Sequence, residues 1–200
     1  MITLGIIGIV AALTIPTLIQ NTKKTETSAK IKKFISVINQ ALLRAEMDYG
    51  NREDWIKGDM NSTDSSMEFL STYVQPYIQN STIEKGGATT TTEHTATLKF
   101  ADGSQMSIKV GTCYDIYYDT NGAKGPNEKG RDAFQFILCR KSGECNVNSN
   151  QVRPYYCVGN GSQYPTHEEL VNNCKNDGLY CTILLQENQY EFPKDYPKRL

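Results

Sequence analysis

Residues 31–49 read IKKFISVINQALLRAEMDY. Ile31, Ile35, Ile38, Leu42, Ala45 and Tyr49 recur at steps of three and four. At helical periodicity this spacing gathers them into one apolar stripe. Lys30, Lys32, Lys33, Gln40, Arg44 and Glu46 fall mostly on the other faces. Gly50 supplies the C-terminal stop. A helix with one apolar stripe needs a second layer to cover it, and the downstream sequence offers strands. The expected fold class is therefore α+β: a long N-terminal helix packed on a small antiparallel sheet.

Upstream, no Gly or Pro interrupts Thr17 to Tyr49, so the pattern predicts one continuous rod. Before it stands Ile2–Ile19, ITLGIIGIVAALTIPTLI, apolar all round. As a helix this segment spans roughly 27 Å, slightly short of a ~30 Å hydrocarbon core. No charge occurs from Met1 to Thr22, whereas lysines 23, 24, 30, 32 and 33 follow closely. No basic region precedes the apolar run, which argues against a signal peptide. The expected organisation is 1–22 as a transmembrane and assembly helix, 23–50 as its amphipathic continuation, and 51–200 as a globular head. Gly5, Gly8, Ala11 and Ala12 are small residues at helix-face spacing and would let helices approach closely. Pro16 would loosen the helix where it falls. Lysines after the apolar run would mark a cytoplasmic side, in conflict with the cysteine-rich segment beyond them. A basic leader upstream of Met1 would remove that conflict.

Downstream, Ser65-x-x-Glu68 reads as a capping box before Met67, Phe69, Leu70 and Tyr73. A short helix ending near Pro76 is expected, with Trp55 and Ile56 docking the preceding connector. Ala96–Phe100 and Gln105–Val110 flank Ala101-Asp102-Gly103-Ser104, a hairpin turn. Cys113–Tyr118 and Ala133–Cys139 read as further strands, with a loop at 86–92. His167–Asn176 reads as a helix, Cys181–Gln186 as a strand, and 190–196 as an extended tail.

The six cysteines Cys113, Cys139, Cys145, Cys157, Cys174 and Cys181 are an even set in a polar head, which predicts disulfides. Their spacing gives no zinc knuckle and no H-x3-5-H pair accompanies them. Six cysteines permit 15 pairings; Cys174 with Cys181 is the best local pair. Residues 119–132 read DTNGAKGPNEKGRD. Asp119, Asn121, Asn127 and Asp132 are hard oxygen donors interleaved with glycines, a pattern that suits calcium. A turn in which Asn and Asp bond their own backbone is the favoured reading, since Lys124 and Lys129 place positive charge in the loop. His94 and His167 stand in no catalytic motif, and no enzymatic activity is expected. With 21 basic and 22 acidic residues and a pI near 6.1, no global field would draw nucleic acid.

From Met1 to Ile19 the chain resembles the N-terminal methylation segment of type IV pilins and type II secretion pseudopilins. Gly5, Gly8 and Pro16 carry the match. The family's leader, cleavage site and helix glutamate would fall before Met1. The 119–132 segment resembles the D-x-N-G-x-x-G-P-N loop of pseudopilin heads, some of which bind calcium through a head loop. The segment from Cys181 to Pro197 is a looser match to prepilin-like C-termini. The resemblance implies a structural subunit of a pseudopilus or type IV pilus that assembles through its N-terminal helix. It implies a single-pass protein of the bacterial inner membrane with its head outside the cytoplasm. Implied partners are copies of itself, other pilin-like subunits, the membrane and the secretion or pilus assembly machinery. A different-class alternative is a membrane-tethered binding module, such as an adhesin or a DNA-uptake minor pilin.

Overall fold

The computed structural model describes residues 2–87, 95–141, 143–146, 151–157 and 163–200; for residues 2–13 and 146 the backbone alone is described. The amphipathic stripe does form a rod: α1 runs Ile2–Tyr49, and Gly50 stops it at φ +77°, donating its N–H to the Glu46 carbonyl. Three further helices follow, α2 (Thr63–Tyr73), α3 (His167–Asp177) and α4 (Cys181–Glu187). The six strands are β1 (Thr82–Lys85), β2 (Thr95–Lys99), β3 (Gln105–Val110), β4 (Tyr114–Asp119), β5 (Ala133–Leu138) and β6 (Arg153–Pro154). They form one sheet in sequence order, antiparallel throughout. The α+β expectation is met at this level: one long helix on an antiparallel sheet.

Registered side chains explain the packing. Leu98, Met106, Tyr118 and Phe134 align across four strands, and Ala96, Ile108, Ile116 and Phe136 form the next row. All eight are buried, as are Ile31, Phe34, Ile38, Leu42 and Ala45 of α1. Phe34 stacks on Tyr118 at 4.1 Å with planes 10° apart, and its ring also meets Phe136 and Phe100. Tyr117 and Tyr118 point to opposite faces, as alternation requires, and Tyr118 is the buried one. At the far end of α1, Trp55 lies flat on Tyr73, centroids 4.2 Å apart, and donates to the Gly50 carbonyl. Ile56, expected to dock with it, is 63 % exposed.

Three local expectations are corrected, and two strands are added. The N-cap of α2 is Ser62, whose side chain accepts from Ser65 N–H. Ser65 lies inside the helix, and its hydroxyl accepts from Asp59 N–H instead. Cys181–Gln186 is helical. A short apolar run reads equally as strand or buried helix, and here Tyr180 enters α4 in the left-handed region while Cys181 is tied back to Cys174. Residues 188–196 are a chain of turns rather than an extended tail, with Tyr196 N–H bonded to the Pro193 carbonyl. β1 and β6 were not foreseen. They are the sheet edges and are short, polar or proline-bearing, which leaves little strand signal.

The membrane assignment is also corrected. Among the described residues no helix is long and apolar enough to cross a membrane. Ile15, Leu18 and Ile19 are followed at once by Gln20, Asn21, Lys23 and Lys24. The transmembrane helix at 1–22, and with it the single-pass inner-membrane location, are not supported. Of the small residues assigned to helix packing, Gly5, Gly8, Ala11 and Ala12 lie where only backbone is described, so their side-chain packing is outside the described residues. Pro16 is exposed within α1.

Candidate functional site

The C-terminal tail straps α1 to the head. Gln20 pairs its side-chain amide with the backbone of Leu200, donating to the carbonyl and accepting from the N–H. Ser28 donates to the Tyr190 carbonyl, and Lys32 pairs with Glu191. Tyr196 is buried and donates to the Gly130 carbonyl at 2.5 Å; burial pushes its phenol far above the ordinary value. Gly130 sits at φ +79°, and a Cβ there would lie 2.2 Å from the Cys181 sulfur. Glycine is the residue that fits both conditions. Further along α1, Lys33 bonds Asp102 at 2.8 Å. Burial raises the Asp102 pKa, but the Lys33 ammonium and the Ser104 donors outweigh it and hold the carboxyl at about 2.

On the N-terminal side of the strap, the described side chains of α1 face solvent. Thr14 to Ile19 are all exposed, with Ile15 at 53 %, Leu18 at 67 % and Ile19 at 49 %. Between this stretch and the tail lies an open cleft of ≈ 450 Å³, lined by Pro16, Gln20, Lys24, Pro197 and Arg199 among others. Exposed apolar side chains on a helix edged by cations suit contact with another protein. They hold no constellation for chemistry.

The 119–132 loop brings its four singled-out residues together, with donors facing the carboxylates of Asp119 and Asp132, while the side-chain oxygen of Asn121 is buried with no hydrogen-bond partner among the described residues. The buried Asp132 carboxylate accepts from Glu128 N–H at 2.6 Å on Oδ1, and from Asn127 N–H at 2.8 Å and Asn121 Nδ2 at 3.2 Å on Oδ2. Asp119 Oδ1 accepts from Asn121 N–H at 3.1 Å. Oriented to satisfy its neighbours, the Asn127 amide nitrogen donates to the carbonyls of Lys124 and Gly122. The Gly125–Pro126 bond is cis. These contacts are those of a self-bonded turn, and a calcium ion would have to displace the donors held by Asp132. Calcium or a chelator should therefore leave the melting temperature within ~1 °C, whereas a binding ion would raise it by mass action. Asp132→Ala should cost ~1–3 kcal/mol by orphaning two backbone donors. A calcium-dependent rise of several degrees in a thermal melt would contradict the assignment.

All six cysteines pair: Cys113–Cys139, Cys145–Cys157 and Cys174–Cys181. The expected local pair is the one between α3 and α4. The sulfurs of Cys113, Cys139 and Cys145 cluster within 4.8 Å, but as neighbouring disulfides rather than thiolate ligands.

His94 lies outside the described residues. His167 begins α3, where Thr166 and Glu169 form a capping box; that box places Glu169 at the helix N-terminus, where its charge is favoured. The His167 ring sits between two carboxylates, Nδ1 at 3.0 Å from Glu187 and Nε2 at 2.8 Å from Asp195. Both nitrogens must donate, so the bound form is the imidazolium. Hydrogen bonds to Asp195 and then Glu187 raise its pKa. A raised folded pKa means the stabilisation is complete below the unfolded value, near 6.5, and is lost as pH rises through the folded one. Proton NMR should show His167 titrating above 6.5, with Asp195→Asn lowering the midpoint. A midpoint at or below 6.5 in the parent chain would contradict the contact.

With this geometry in view, the chain belongs to the Family of unknown function (DUF6613), whose model matches residues 17–200. That family carries no functional description and gives no support to the pilin or secretion assignment. No curated protein and no solved structure matches the chain.

Proposed function

We propose that this chain is a structural subunit that assembles into a filament through α1, on the plan of pilus and pseudopilus subunits. The observation that supports the reading most is the division of α1 into two regimes. From Ser28 onward its apolar stripe is buried under the sheet. From Thr14 to Ile19 the same continuous helix is exposed, with three large aliphatic side chains in contact with no core. Each such side chain gains about 1.5–3 kcal/mol when fully buried, and copies of the chain can supply that burial. The sequence resemblance at Gly5, Gly8 and Pro16 points the same way. The partners are other copies of this chain and subunits of like plan, and the subunit performs no catalysis.

Sedimentation velocity on the full chain tests the reading. Concentration-dependent large species are expected. Ile15→Glu with Leu18→Glu should return the protein to monomer while leaving its melting temperature unchanged, because both positions are exposed. A parent chain that stays monomeric at high concentration would overturn the proposal.

A further inference from the structure

Two of the three disulfides touch. Cys113 Sγ and Cys145 Sγ belong to different bridges, yet they lie 3.5 Å apart. The fold brings them together. Cys113 and Cys139 stand just past Tyr114 and Leu138, the paired ends of β4 and β5. Both are buried, at 4 % and 1 % exposure. Beyond β5 the chain turns back through Glu144–Asn146, which sets the Cys145 sulfur within 4.8 Å of both. Cys145 is half-buried and Cys157 is exposed. The outer bridge, Cys145–Cys157, is thus open to a reductant in solvent, and the inner one is not. Glu144 completes the cluster, with Oε2 3.8 Å from Cys113 Sγ.

We infer that these four cysteines form a disulfide relay, in which Cys145 passes reduction of the outer bridge to the inner one. The inference is independent of the filament reading. A dithiol reductant attacks the outer bridge first, since exposed disulfides are the labile ones. The reductant leaves as its own cyclic disulfide, and Cys145 and Cys157 become thiols. Two electrons and two protons have entered the protein. Breaking the bond to Cys157 frees the Cys145 side chain to turn into line with the inner bridge. Its thiolate then attacks Cys113 Sγ. The Cys113–Cys145 bond forms, the Cys113–Cys139 bond breaks, and Cys139 leaves as a thiolate that takes up the proton Cys145 gave up. No further oxidant or reductant is needed. Glu144 sets the direction. A sulfur leaves faster the more stable its thiolate, and a carboxylate 3.8 Å away disfavours a thiolate on Cys113. Attack at Cys139 would have to expel that sulfur, whereas attack at Cys113 expels Cys139. The outcome is a different clip. β4 and β5 lose the bridge at their paired ends, and the start of β4 is tied instead to the Glu144–Asn146 turn, across 32 residues. Free thiols remain at Cys139 and at exposed Cys157.

Two measurements on the full chain test the relay. In one, the native protein is treated with a limiting amount of dithiothreitol, quenched with acid, alkylated and mapped by mass spectrometry. Most molecules that have lost one bridge are expected to carry Cys113–Cys145, with the label on Cys139 and Cys157. Molecules that keep Cys113–Cys139, with the label on Cys145 and Cys157, would overturn the relay. A Cys139–Cys145 bridge would overturn the direction of attack. The other measurement compares Cys157→Ser with Cys145→Ser. Both variants lack the outer bridge, and only the first keeps the attacking thiol. Each is held without reductant well below its melting temperature, so that exchange rather than unfolding is read, and is then trapped in acid and mapped. The Cys113–Cys145 fraction in Cys157→Ser should exceed any Cys113–Cys157 fraction in Cys145→Ser by about 10-fold, because exchange depends on access to the attacked sulfur. Equal fractions, or an inner bridge left intact in both variants, would show that Cys145 has no special role.

Discussion

Phe34→Ala lowers the melting temperature by roughly 10 °C, the largest effect expected of any single substitution on α1. Phe34 is 3 % exposed and stacks on Tyr118, with Phe136 and Phe100 closing two more sides of its ring. Truncation removes the transfer free energy of the ring and leaves a cavity whose walls belong to three different strands and turns. Phe→Ala at such sites costs ~3–5 kcal/mol. In a chain of this size each kcal/mol moves the midpoint by about 2–4 °C. Leu43→Ala, nine residues on along the same helix, should change stability by no more than ~0.5 kcal/mol, because its side chain is exposed and touches no core. Calorimetry of the two variants separates the folding face of α1 from its free face. Equal shifts would mean that the helix is not seated on the sheet as described.

Reduction of the disulfides comes next in size. Cys113 and Cys139 flank β4 and β5 just beyond the paired Tyr114 and Leu138, and their bridge closes a separation of 26 residues. Cys145–Cys157 clips the segment after β5 to the one after β6 across 12 residues, and Cys174–Cys181 locks α3 to α4 across 7. Each bridge contributes roughly 2–4 kcal/mol by restricting the unfolded chain, with the longest loop contributing most. Together they are comparable with the whole stability of a domain, about 5–15 kcal/mol. A dithiol reductant should therefore abolish cooperative unfolding of the C-terminal half, or lower its midpoint by more than 15 °C. Cys145–Cys157 opens first, because its sulfurs are the most exposed of the six. Unchanged melting after full reduction, verified by thiol counting, would contradict this account.

The parts of the fold that were legible in the sequence are those with a strong local period. The steps of three and four from Ile31 to Ala45 identified the buried face of α1, although Tyr49, the last member of the expected stripe, is exposed, and alternation around Ala101–Ser104 identified the β2–β3 hairpin. Phe34 was missed as a core residue because it falls between two members of the stripe, although it proves to be the most enclosed ring on the helix. Cys181–Gln186 was misread because apolar runs of that length carry no period that separates helix from strand. What decides it, the clamp to Cys174 and the buried Tyr196 beside Gly130, arises from tertiary contacts. Ser62 lost the capping role to Ser65 in the sequence reading because Glu68 follows Ser65 at the right spacing. The apolar start of the chain suggested a membrane span, but among the described residues no helix is long and apolar enough to cross one.

The candidate assembly surface was partly legible. Pro16 and the apolar run drew attention to the N-terminal part of α1. That Ile15, Leu18 and Ile19 face solvent carried no signal, since an apolar residue of a helix looks like core until the sheet is seen to leave it open. The loop at Asp119–Asp132 was legible as a turn, and only the donors aimed at Asp132 separate the turn from a metal site.

The central claim is that α1 serves the head on one face and other copies of the chain on the opposite one. Electron cryomicroscopy of the full chain after concentration tests it most directly. The account predicts filaments with α1 helices running along the axis, heads outward, and Ile15 and Leu18 of adjacent copies buried in the centre. Filaments joined through the sheet edges with α1 facing solvent, or a field of monomers, would contradict it.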